Sequence, residues 1–217
     1  MKFIARELIS TDWITIVIMV SITLLASAKL INSIRFSEFI MLFNTNKYVV
    51  VNQKGNKLST FFNSVLILAQ ILSISLFTYL CIEAFQWQGD TIDMMFFFKI
   101  ASLYLFVFIC KILVEKIIST IFSIETLIED YLFYKISYRN FLGVILLPLN
   151  LLFVYSVKPS KIVVIVLIVS LLLLNLIILF SVYRRNENVI LNNLFYFILY
   201  LCALEIAPYF MLYKLII

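Results

Sequence analysis

Residues 60–82 read "TFFNSVLILAQILSISLFTYLCI". At about 1.5 Å per residue a helix of this run spans about 35 Å, enough to cross a hydrocarbon core of roughly 30 Å. In lipid every backbone N–H and C=O must be bonded within the protein, which leaves helices or a closed barrel. Barrel strands alternate apolar and polar residues. This run is almost continuously apolar, so it predicts a spanning helix.

Five further runs of the same kind lie around it. The first covers about 13–34 and is densest in "WITIVIMVSITLLASA"; the third, about 94–114, reads "MMFFFKIASLYLFVFICKILV". A short fourth run, "FLGVILLPLNLLFVYSV", covers 141–157, and the last two cover about 161–183 and 189–213. The expected fold is all-α: a polytopic bundle of six transmembrane helices forming one domain over residues 1–217. Composition points the same way. The chain is 64% hydrophobic and only 13% charged, with mean hydropathy +1.10, whereas soluble domains run near 45–50% apolar and about 25% charged. No soluble core of this size could hide so much apolar surface, so lipid is part of the solvent.

Several chemistries lack their residues. There is no histidine, the commonest general base and a frequent metal and haem ligand. Cys81, Cys110 and Cys202 stand singly in apolar sequence with no CxxC, so neither a metal nor a redox pair is indicated. Three glycines cannot write a dinucleotide fingerprint or a P-loop. No catalytic residue, metal site or cofactor is expected.

"ASA" at 26–28 resembles a signal-peptidase site, but Glu7 and Asp12 cancel Lys2 and Arg6 ahead of the first run, and more positive charge lies behind it. An uncleaved helix is expected. Ten bases (Lys29, Arg35, Lys47, Lys54, Lys57, Lys116, Lys135, Arg139, Arg184 and Arg185) fall on one side of the six-span scheme. Lys2, Arg6, Lys158, Lys161 and Lys214 fall on the other. The richer side should face the cytoplasm, leaving both termini outside. The outer connection "EAFQWQGDTID" carries three acids and no base.

Two cytoplasmic connections are long, 35–59 and 115–140. The apolar part of the first is expected on the membrane surface. In the second, Ile117, Ile121, Ile124, Ile128 and Leu132 recur at helical spacing, which predicts an amphipathic helix at the interface or against the bundle. Its end, "YLFYKISYRN", places Tyr131, Tyr134, Lys135 and Tyr138 on one face, with Arg139 one turn after Lys135. Such a face would anchor to anionic lipid headgroups or dock a protein partner at the cytoplasmic face. Bases placed by the positive-inside rule argue for lipid and against nucleic acid.

Glu205 is the residue most suited to function inside the membrane. A carboxylate in a span costs roughly 2.5–3.5 kcal/mol on insertion scales and usually meets a partner. It lies about 12 Å below the outer edge and Lys99 about 7–8 Å below it, so an ion pair is expected, with Glu83 competing for Lys99. Pro148 and Pro208 each remove a backbone donor and are expected to kink their helices. Gln70, Asn150, Asn175, Asn192 and Asn193 are intramembrane amides suited to bonds between helices.

"ISYRNFLGVILLPLNLLFVY", the terminal "FILYLCALEIAPYFMLYK" and "FNTNKYVV" resemble a family of multi-helix membrane proteins from bacteroidete bacteria, catalogued as a domain of unknown function (family four-two-seven-one). Its sharpest elements fall on Tyr138, Arg139, Asn140, Pro148, Asn150, Glu205, Pro208 and Lys214. The resemblance implies a bacterial inner-membrane protein and supplies no activity. The residues favour a non-enzymatic accessory or assembly subunit. A small transporter or channel using Glu205 and Lys99 is the alternative, and a membrane enzyme acting on lipid ranks last.

Overall fold

The computed structural model describes residues 12–43, 61–85, 94–121, 125–156 and 160–185, and these are almost wholly helical, with no strand among them. Helix α1 is Asp12–Ile31 and α2 is Ser33–Ile40, followed by a 3₁₀ turn, Met41–Phe43. Long helices follow: α3 Phe61–Phe85, α4 Met94–Ile121, α5 Glu125–Tyr155 and α6 Lys161–Arg185.

One residue separates α1 from α2. Asn32 is extended (φ −154°, ψ 92°), and its side chain accepts a hydrogen bond from the backbone N–H of Arg35 at 3.0 Å. An N-cap of this kind satisfies one of the donors that a new helix leaves unpaired. Lys29 in the last turn of α1 complements the negative end of the helix dipole.

Core clusters give the direction of each helix. At one end Ala28 of α1, Phe39 of α2 and Phe62 of α3 pack with Phe133 and Tyr134 of α5. At the other, Ile14 and Ile18 of α1 meet Leu76, Tyr79 and Leu80 of α3 and Phe97 of α4. Hence α3 and α5 run parallel to each other and antiparallel to α1 and α4. Helix α6 begins near the second end, where Val164 packs on Phe77, Cys81 and Leu146. Helix α3 sits centrally, touching α1, α4, α5 and α6.

Among the described residues, four helical stretches are long and apolar enough to cross a membrane: Asp12–Ile31, Phe61–Phe85, Met94–Ile121 and Leu132–Tyr155. Helix α6 is apolar over Lys161–Asn175. The sixth expected span, 189–213, lies outside the described residues.

Where helices begin and end departs from the sequence expectation. The third span continues without a break to Ile121, so the expected amphipathic helix is divided: Ile117 and Ile121 lie on α4, while Ile128 and Leu132 lie on α5, where the stretch from Glu125 and the fourth span form a single 31-residue helix. The sequence predicts a boundary near Phe141 from the change in polarity. Yet 131–141 holds neither glycine nor proline, and polarity alone does not stop helical hydrogen bonding. Pro148 lies inside α5, exposed, and helix continues on both sides of it. The start of the 35–59 connection is also different. Phe39 and Leu42 are almost wholly buried in protein rather than laid on a surface, and Phe39 meets Phe141 edge-on at 6.0 Å. Aromatic neighbours on α3 and α5 offer that ring a packed site.

Candidate functional site

Among the described residues, the strongest polar constellation lies where α4 and α5 pair near the basic end. Glu115 is the only acid in α4 and is 1% exposed. The Lys135 ammonium donates to its Oε1 at 3.0 Å, and the Lys135 side chain is 15% exposed. Each side chain reaches the other across the antiparallel seam. A charge pair this dry is costly to assemble and far costlier to leave half-formed.

One turn along α5, the Arg139 guanidinium lies 5.6 Å from the ring centroid of Phe108, itself buried in the seam. A weakly hydrated guanidinium placed over an aromatic face is attracted by the negative face of the ring. Tyr134 and Tyr138 stack at 5.8 Å with 19° between planes. Tyr134 belongs to the core shared with α1, α2 and α3, and Tyr138 packs partly against it.

The face expected to dock lipid or protein is therefore divided. Lys135 and Arg139 turn towards α4, whereas Tyr134 is buried in the core; the side chain of Tyr131 is outside the described residues. Sequence spacing identified the shared helix but not which strip of it would be covered. Glu115 is the functional candidate that the sequence does not mark. Its signal was available: a lone acid four residues after Lys111, at the end of an apolar run.

The interior holds further polar contacts. The Gln70 amide donates to the Tyr104 hydroxyl at 2.9 Å, joining α3 to α4. The Asn150 amide donates to the Ser73 carbonyl at 2.9 Å, joining α5 to α3. Both amides thus act between helices, as their place in the spans predicts. Asn175 instead donates to the Leu171 carbonyl of its own helix at 2.8 Å. Gly143 permits the close approach of α5 to α3: a Cβ there would lie 2.8 Å from Gln70 Cα. Near the opposite end the Thr15 and Tyr155 hydroxyls lie 2.7 Å apart.

Lys99 is exposed on α4, and Glu83 is exposed at the end of α3. Glu205 and Pro208, with Asn192 and Asn193, lie outside the described residues, so the expected Glu205–Lys99 pair is not described. No group of three or more His, Cys, Asp or Glu side chains among the described residues could hold a metal ion.

Comparison with known proteins gives one match. A family model described as Domain of unknown function (DUF4271) matches residues 14–216. No curated protein and no solved structure matches the chain.

Proposed function

The chain belongs to this family, whose function is unknown, and on that premise we propose that it is an integral inner-membrane protein serving as a non-enzymatic accessory or assembly subunit. Its basic end faces the cytoplasm, rests among anionic lipid headgroups and docks a protein partner.

The observation that carries this reading is the length of the α4–α5 hairpin. Helix α4 has 28 residues, about 42 Å at about 1.5 Å per residue, against roughly 30 Å of hydrocarbon. The apolar stretch of α5 begins at Leu132, seven residues after the helix starts, which adds about 10 Å. The two surpluses are alike, about 10–12 Å, and Glu115 and Lys116 near the end of α4 argue that its surplus lies at the same end as that of α5. A paired helical tip of that height is preorganised, so docking orders little further chain. Lys116, Glu125 and Glu129 are exposed on it. Lys29, Arg35, Lys111, Lys116, Lys135 and Arg139 gather towards that end, and the positive-inside rule supports a cytoplasmic orientation.

The alternative, a small transporter using Glu205 and Lys99, draws no support from Lys99, which is exposed on α4 rather than turned into the bundle. Photo-crosslinking from the hairpin tests the docking role. A crosslinker at Glu125 or Glu129 should capture one protein in stoichiometric yield, and one at Leu103 should not. Equal capture at both positions, or none at the tip, would refute it. Thr120→Cys should react with a membrane-impermeant thiol reagent only from the cytoplasmic side; labelling from outside reverses the orientation.

A further inference from the structure

We propose that the α4–α5 seam is a stoichiometric binding site for the headgroup of an anionic phospholipid. The inference rests on the membrane reading above but not on the docking role.

Charge is the first argument. Lys135 and Arg139 of α5 face α4 at the seam, and Lys111 stands one helical turn before Glu115, the one acid of α4, so three bases are grouped around one carboxylate and positive charge is in excess even with the Lys135–Glu115 pair formed. Lys111, Lys135 and Arg139 are each partly buried, so their side chains lie partly against protein rather than wholly in solvent. The Arg139 guanidinium carbon lies over the Phe108 ring, 5.6 Å from its centroid, which holds the group near the seam. Its planar fork suits the paired oxygens of a phosphate.

Shape is the second. Leu103, Val107, Lys111 and Glu115 follow one another at i, i+4 spacing, forming a ridge of α4 that leads into the seam. Leu103 and Val107 are 65% and 53% exposed. Moving along that ridge, a ligand meets exposed apolar surface, then a cation, then the buried ion pair. That order matches acyl chain followed by phosphate. A free phosphate would use only the polar end. Basic pockets between spanning helices at the cytoplasmic edge recognise anionic headgroups on this principle. A zwitterionic lipid brings its own cation towards like charges, so the site should discriminate against it.

Native mass spectrometry of the full-length protein, released from detergent with phosphatidylglycerol or phosphatidylcholine at equal concentration, tests this. One phosphatidylglycerol per chain should be retained, with a preference of about tenfold or more. Lys111→Gln with Arg139→Gln should abolish the preference. Lys29→Gln with Lys116→Gln removes the same charge from the same end but off the seam, and should leave it intact. Arg139→Lys keeps the charge but loses the fork; it should lower the preference part-way and keeps the test valid if the double variant does not fold. Equal retention of both lipids by the wild-type protein overturns the proposal, as does an equal loss in the two double variants, which would indicate diffuse surface attraction. Unchanged lipid preference with no crosslinking at the hairpin tip would refute the docking role alone.

Discussion

Helices α3 and α4 are nearly equal in hydropathy, yet in their most apolar stretches 67% of α3 residues are buried and only 11% of those in α4. Their polar residues show why. Asn63, Gln70, Ser73 and Ser75 of α3 are all buried, so these polar groups face neighbouring helices. Helix α4 exposes Phe98, Leu103, Phe106, Ile109 and Leu113, and holds the bundle through a narrow strip that includes Phe97, Tyr104, Phe108 and Glu115. In a bilayer apolar surface gains little from moving out of lipid and into protein. Position in the bundle is therefore set by packing and by polar contacts.

Experiments that attack the narrow strip of α4 should have the largest effect. Lys135→Met removes the 3.0 Å partner of the buried Glu115 carboxylate and should cost about 3–5 kcal/mol in unfolding from mild detergent. Pairing it with Glu115→Gln should recover most of the loss. If the single change is harmless, the pair does not anchor α4. The direct comparison comes next. Leu76→Ala in α3 should cost about 2–5 kcal/mol by leaving a cavity, whereas Leu103→Ala on the exposed face of α4 should stay within about 0.5 kcal/mol. Equal costs in a thermal-shift series would erase the distinction between the two helices.

A smaller effect tests the close contact of α3 with α5. Gly143→Ala places a Cβ against the Gln70 backbone and should destabilise by about 1–3 kcal/mol through overpacking. An unchanged melting temperature would mean that the helices separate freely at this level. Smallest of all, Gln70→Leu removes the bond to Tyr104 and should cost about 0.6–1.7 kcal/mol. A double-mutant cycle with Tyr104→Phe measures that term, and full additivity would exclude a coupling.

Much of the helical content was legible because long apolar runs in lipid have few backbone solutions. The bounds were less so. The prediction of a boundary at Phe141 treated polarity as a stop signal, but no residue there ends a helix, and α5 runs through. The site was legible only in pieces. Spacing along α5 put Lys135 and Arg139 together, yet no periodicity reveals that Glu115, twenty residues earlier, lies across from Lys135. Likewise "YLFYKISYRN" reads as one aromatic and basic face, while its members divide between the seam with α4 and the core with α3. The Glu205 prediction is untouched by the described residues.

The sequence by itself determined the membrane-length apolar runs, the helical backbone, and the end at which basic charge collects. These follow from composition, from backbone hydrogen bonding and from counting along the chain. Only the tertiary structure decided which of two equally apolar helices is central, and which lone acid meets which lysine. The reason is physical: hydropathy does not distinguish a lipid-facing side chain from one packed against another helix. That distinction arises only when a second helix supplies the glycine notch, the amide partner or the counter-charge.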